Sequence, residues 1–232
     1  MRSGSESERT TPAPNRVSIT LEQDFGLVNG TDICSKEAQL SEGFVCFRSN
    51  GTQYHGTPIR DQSADPSGAY LATTRLFAGF DRVLFESWTA GVRAGFVLRG
   101  GGPRPDGADA PEFLPFHGEA RAAYWFGAAP FAGPGWRLGL FVGGGVAQVD
   151  AAWRVIVEED TSKPAPAAQP SNPPEQMLDA YMKSGTGFAG GGLTIAYSLF
   201  QSSAFFLDLR IMALFPSSGA ALAPGIGYEH GF

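Results

Sequence analysis

The sequence predicts an all-β fold, a closed antiparallel up-and-down transmembrane β-barrel of about eight strands. Three observations carry this. Apolar and polar residues alternate with period two through most of the 232 residues, the mark of strands with two unlike faces. The connections alternate long and short, except for the last short link at 216–219, as they do when long loops gather at one end of a barrel and tight turns at the other. The polar phase also mixes glycine with charges of both signs, while the opposite phase is almost uncharged.

Length and composition narrow the class. A chain of 232 residues fits one all-β domain. A net charge of −6 and a pI near 5.1 argue against nucleic acid as a partner. Lysine occurs only at Lys36, Lys163 and Lys183, none in the middle of a predicted strand. Arginine dominates the basic residues, and it tolerates confined ion pairs better. Residues 1–16 are polar, carry Pro12 and Pro14, and lack an apolar signal-peptide stretch. They are expected to be a disordered linker, leaving residues 17–232 as the barrel. If the protein is exported, either a leader precedes this sequence or the chain is the tail of a longer one whose upstream part carries it, and the second is the expectation.

The first strand, 17–27, sets Val17, Ile19, Leu21, Phe25 and Leu27 against Ser18, Thr20, Glu22 and Asp24. A polar loop, 29–67, follows. The second strand, about 69–80, sets Tyr70, Ala72, Leu76, Ala78 and Phe80 against Thr73, Arg75 and Gly79, before a turn at 81–86. The third alternates most clearly, with Trp88, Ala90, Val92, Ala94, Phe96 and Leu98 opposite Thr89, Gly91, Arg93, Gly95, Val97 and Arg99. After a Gly/Pro-rich loop, 100–112, the fourth strand sets Phe116, Ala120, Ala122, Tyr124 and Phe126 against His117, Glu119, Arg121, Ala123 and Trp125. A short turn is expected at 127–135. The fifth strand places Leu138, Leu140, Val142 and Val146 opposite Arg137, Gly139, Phe141, Gly143 and Gly145, and its pattern runs on to about Val157, clear of a membrane. The Pro-rich segment 158–175 reads as loop. A sixth strand, about 181–199, and two closing strands over 205–232 complete the set.

Alternation alone does not say which face is inside. Glycine weakens a strand and gains nothing on a solvated face. In a narrow lumen it makes room for bulky side chains opposite, and an eight-stranded barrel is just wide enough for side chains to fill. The predicted lumen residues are Glu22, Asp24, Arg75, Arg93, Arg99, His117, Glu119, Arg121, Arg137, Asp208, Arg210 and Glu229. Their mixed signs allow ion pairing across the interior. The other face carries almost no charge, as lipid demands, since Arg or Lys there costs about 2–4 kcal/mol at the bilayer midplane. Trp88, Tyr124, Phe126, Trp136, Tyr197 and Phe232 fall at strand ends beside short turns, where an interfacial girdle belongs. The rival is a soluble barrel that packs these residues inward around a ligand.

Cys34 and Cys46 lie within one loop, and an even count in a short loop suggests a disulfide and an oxidising compartment. That segment lacks enough ligands at metal-binding spacing, so no metal is expected. The run Gly185–Thr186–Gly187–Phe188–Ala189–Gly190 fits G-x-G-x-x-G, but no helix follows as a dinucleotide site needs, so no cofactor is expected. Residues 184–207 are uncharged and long enough for a membrane helix, yet their glycines and Gln201–Ser202–Ser203 suit a strand–turn–strand. Asn29–Gly30–Thr31 and Asn50–Gly51–Thr52 are sequons and equally ordinary turn sequences. His117, Glu119 and Arg121 share one face, where they read as an ion-pair network rather than a catalytic set.

The closing segment Ile226–Gly227–Tyr228–Glu229–His230–Gly231–Phe232 resembles the carboxyl-terminal assembly signal of the small eight-stranded outer-membrane barrels of Gram-negative bacteria, the OmpA/OmpX/OmpW-like group. Tyr228 and Phe232 match the motif, whereas His230 departs from its usual apolar choice. The resemblance covers residues 17–232 as architecture and the last strand as motif. It implies a monomer in the bacterial outer membrane, with outer-membrane lipid and the barrel-assembly machinery as partners. The expected role is structural: anchoring an upstream periplasmic domain, or presenting loops for interaction, around a lumen plugged by charged side chains. No enzymatic activity is expected. The alternatives are an OmpW-like channel or carrier for small hydrophobic molecules, and a lipid-modifying outer-membrane enzyme.

Overall fold

The computed structural model describes residues 13–30, 32–59, 67–106, 112–160, 162–163, 175–200, 202–217 and 219–232. Most of the predicted linker, and the Pro-rich residues 164–174, lie outside the described residues. The elements in chain order are β1 (Asn15–Val28), α1 (Lys36–Ser41), β2 (Phe44–Arg48), β3 (Gly68–Phe85), β4 (Trp88–Arg99), β5 (Phe116–Trp125), β6 (Gly135–Val146), β7 (Val149–Glu158), β8 (Glu175–Ser184), β9 (Gly187–Phe200), β10 (Ser203–Phe215) and β11 (Gly219–Gly231). Eight of the strands close into an antiparallel barrel, in the order β1-β11-β10-β9-β6-β5-β4-β3, and β3 returns to β1. Each barrel strand has at least 10 residues, enough to cross a bilayer at the usual tilt. No described helix is long and apolar enough to do so; residues 187–200 and 203–207 belong instead to the paired antiparallel strands β9 and β10.

The polarity is inverted relative to a soluble protein. Val92 is 57% exposed, Ile211 62% and Ile226 57%, while Arg75 is fully buried and Arg210 nearly so. Outward apolar side chains and inward charges are what a lipid-spanning barrel shows; a soluble barrel would show the reverse. At the short-turn end the outward aromatics pair into a belt: Trp88 with Tyr124, Trp136 with Tyr197, and Phe205 with Tyr228. Glycines on the lumen side make way for rings. A Cβ at Gly95 would stand 2.6 Å from Phe77, and one at Gly227 would collide with Phe206.

The long-loop end departs from expectation. Residues 29–67 are not merely a polar loop: they supply α1, capped by the Ser35 hydroxyl on the Ala38 amide, and the buried strand β2. The β6 pattern does not run unbroken to Val157. After Ala147 and Gln148 it resumes as β7, which pairs with β8, and β2 joins their other side in the order β2-β8-β7. The predicted sixth strand accordingly splits at Gly185–Thr186 into β8 and β9, and Glu158 and Glu175 are strand ends rather than loop. This three-stranded sheet and α1 form a cap. Its core, with Cys46, Tyr54, Trp153 and Leu178, runs without a break into Ala72, Phe188, Met212 and Ala221 of the barrel wall. Cys34 and Cys46 are disulfide-bonded within it.

Three local predictions need correcting. The barrel begins at Asn15, two residues earlier than predicted, because Asn15 and Phe232 exchange backbone hydrogen bonds. The turn expected at 81–86 shrinks to Glu86–Ser87, since β3 runs on to Phe85. Near the top of β3 a bulge makes both Ala72 and Thr73 oppose Asp24, where Gln23 pairs Thr74 and Phe25 pairs Leu71. One extra residue reverses the phase, so Ala72 turns inward and Leu71 outward.

Two measurements check this account. Val92→Arg should cost about 2–4 kcal/mol in urea unfolding from lipid vesicles, whereas Leu40→Arg, on the exposed surface of α1, should cost less than about 0.5 kcal/mol. Cys34→Ser/Cys46→Ser should weaken the cap locally by about 3 kcal/mol from loop-closure entropy, seen as faster amide exchange in α1 and β2 with the barrel strands unchanged.

Candidate functional site

The lumen is built in tiers, because inward positions on successive strands recur every second residue. At the short-turn end Glu229 receives a guanidinium from each side: Arg16 at 2.8 Å and Arg137. Phe131, from the turn between β5 and β6, is turned into the barrel mouth, where it lies 5.0 Å from each of those two guanidinium carbons and stacks edge-on against Trp125. It is 2% exposed. The short turn expected at 127–135 therefore carries a stopper.

In the middle tier Asp208 takes Arg93 at 2.9 Å, Arg121 at 3.5 Å and the Thr194 hydroxyl at 2.6 Å. Arg93 stands on β4 and Asp208 on β10, opposite one another in the ring of eight, so this pair spans the lumen. Arg121 also reaches Asp81 at 3.9 Å and lies over the Phe141 ring. Above them Arg210 joins Glu119 at 3.0 Å and Glu22 at 3.7 Å. His117 faces Glu119 at 3.7 Å and is wedged between Phe77 and Phe188. Fully buried and shielded by rings, it is out of reach of lipid substrate. At the top Arg75 pairs with Asp24 and donates to the Gln148 carbonyl at 2.7 Å, directly beneath the cap.

Eleven of the twelve predicted lumen residues lie on this inner face. Arg99 does not. The register slips between Thr74 and Arg75, so that Arg99 pairs with Thr74 after Val97 has paired with Arg75; the extra residue breaks the inward phase of β4, and Arg99 is exposed. Arg16, Asp81 and Phe131 are lumen residues that alternation did not reveal, because two sat in predicted turns and one in the predicted linker. The period-2 spacing of Asp81 from Gly79 and Arg75 was a usable signal; for Phe131 there was none. Six arginines (16, 75, 93, 121, 137, 210) thus meet six carboxylates (22, 24, 81, 119, 208, 229). This balance matters because an unpaired charge in a low-dielectric interior is far costlier than a paired one. Between Arg16, Asp81, Arg121 and Glu229 lies a cavity of about 10 Å³, roughly the room of one water molecule.

The cap has its own polar joints. The Gln39 amide donates to the Cys34 and Tyr54 carbonyls, both at 3.0 Å, and accepts from the Cys46 amide at 3.2 Å, tying α1 to both ends of the disulfide loop. The Tyr54 hydroxyl donates to Glu159, which also accepts the Thr57 amide at 2.8 Å. Burial, reinforced by that carboxylate, pushes the Tyr54 hydroxyl well above the usual phenol range. β7 lies across the mouth, with the Asp150 amide donating to the Thr73 hydroxyl at 3.0 Å. Burial likewise raises the Asp150 carboxyl, against the opposing pull of the Gly102 amide.

Removing one member of a buried charge set leaves its partners uncompensated. Asp208→Ala, which strands Arg93 and Arg121, should cost about 3–5 kcal/mol in vesicle unfolding; a loss under about 1 kcal/mol would show that the middle tier does not hold the barrel.

No family model and no curated sequence matches the chain. Among solved structures it is similar to the N-terminal β-barrel domain of Pseudomonas aeruginosa OprF, at 10% identity over 94% of this chain and 98% of that one, with a TM-score of 0.41. It is also similar to Neisserial surface protein A, at 11% identity over 96% and 100%, with a TM-score of 0.43. Ail, the attachment invasion locus protein of Yersinia pestis, is similar at 9% identity over 96% and 100%, with a TM-score of 0.37. The chain's own geometry carries the assignment: eight strands, closed, apolar outside and ionic inside, the fold of a small outer-membrane β-barrel.

Proposed function

We propose that this chain is a monomeric barrel of the bacterial outer membrane whose lumen is a fixed strut and whose cap, held outside the cell, is the part that interacts. The observation that carries this reading is the double closure: Phe131 occupies the short-turn mouth, β7 lies across the other, and the ion pairs between them surround a cavity of only about 10 Å³ beside Arg16 and Glu229. Large charged side chains in an eight-stranded lumen leave no path for solutes, so a structural and presenting role suits the geometry better than a pore. The long-loop end faces outward and the short-turn end faces the periplasm, as in barrels of this type.

Residue 13 and Phe232 lie together at the periplasmic end, where Asn15 and Phe232 exchange hydrogen bonds. Any periplasmic domain preceding the barrel would be anchored there. Tyr228 and Phe232 point outward, accessible to the barrel-assembly machinery before insertion; their replacement should lower the yield of inserted protein.

Planar-bilayer recording tests the closure. The unmodified protein should show no steady conductance, and Phe131→Ala should admit a small aqueous probe from the periplasmic side as far as Asp208. A large, steady conductance from the unmodified protein would favour the channel alternative and overturn this reading.

A further inference from the structure

Beside the cap, a cleft of about 230 Å³ lies between the top of β4, residues 100–102 and the outward face of the β7–β8 pair. Its walls include Leu71, Arg99, Asp150, Ala152 and Tyr181. Asp150 is 4% exposed. One of its oxygens accepts the Gly102 amide, while the other, Oδ1, has no hydrogen-bond partner. A buried acceptor left unpaired calls for a donor. Among the described residues Arg99 makes no ion pair, although it borders the same space. Tyr181 presents a ring there, next to aliphatic Leu71 and Ala152.

An unpaired cation, an unpaired acceptor and an aromatic platform around one small cleft narrow the occupant. Lys183 stands directly across the sheet from Asp150 and acts on it electrostatically, so an ammonium donor is repelled while a neutral hydroxyl is not. The volume is below that of drug-sized pockets, about 300–1,000 Å³, and suits a single ring. We propose that the cleft binds one acidic saccharide unit, a sugar ring bearing a carboxylate or phosphate. The anion sits on the Arg99 guanidinium, a ring hydroxyl donates to Asp150 Oδ1, and the C–H face of the ring lies against Tyr181. Leu71 and Leu98, both outward-facing, mark the top of the lipid-exposed band just below. The unit can therefore come from a glycolipid headgroup or from free glycan.

The proposal rests on the cap standing outside the membrane as described above. Titrating soluble probes onto detergent-solubilised protein reaches both ends of the barrel, so failure to bind is distinguishable from a wrong orientation. Calorimetric titration with D-glucuronate and glucose 1-phosphate should show saturable binding, at least tenfold weaker in Arg99→Gln and unchanged in Arg104→Gln, an exposed arginine further along the same loop. Asp150→Asn, which keeps an acceptor for Gly102, should weaken binding severalfold. Nanodiscs containing a phosphorylated glycolipid should compete with the probe if the headgroup is the source; competition by soluble acidic oligosaccharide alone assigns the site to free glycan. No saturable binding, equal binding in Arg99→Gln, or equal competition by phosphatidylglycerol nanodiscs would overturn the proposal.

Discussion

The structure depends on one constraint: charges that cannot face lipid must neutralise one another inside a narrow cylinder. Six guanidinium groups and six carboxylates meet this by crossing the lumen rather than pairing along a strand, as Arg93 does with Asp208 and Arg137 with Glu229. These two pairs and Arg210–Glu119 link strands far apart in the ring, while Arg16–Glu229 and Arg75–Asp24 join neighbouring strands, so the charges brace the barrel as well as balance it. Arginine suits the task because its planar fork serves more than one acceptor and its face lies on aromatic rings. Arg121 and Arg210 both use Phe141 in this way.

Closure of the two ends follows different physics. At the short-turn end a single ring, Phe131, is held between two guanidinium groups and Trp125. At the other end the closure is a small domain. The β7–β8 ribbon would be a long arm in water if it stood alone, and two-stranded ribbons of that kind are marginal. Adding β2, packing α1 beneath it and tying Cys34 to Cys46 turns the arm into a sheet with a core. That core is continuous with apolar residues of the upper barrel wall, Met212 and Phe188 among them, so cap and barrel share buried surface instead of being joined by a flexible link.

Much of the barrel was legible because a strand buried on one side and bathed in lipid on the other must alternate. Glu22, Arg75, Arg121, Asp208 and Glu229 could be placed inward from spacing alone. The errors share a cause. Arg99 and Ala72 were misplaced where a bulge or register slip inserts a residue, and one residue reverses every side chain beyond it. Phe131 was missed because a turn has no periodicity to read. The cap was missed because Phe44–Arg48 is buried on both faces and so shows no alternation, while its partner Glu175–Ser184, and that strand's other partner Val149–Glu158, lie more than 100 residues away.

What the sequence determined by itself was the inside and outside of the cylinder: alternation, glycine beside large polar residues and a charge-free phase are local facts that lipid enforces residue by residue. What only the tertiary structure decided was pairing. Which arginine meets which carboxylate, which turn folds into the lumen, and which loop segments join across the mouth all depend on the closing of β1 on β3 and β11. That closure brings together residues whose separation along the chain carries no local signal.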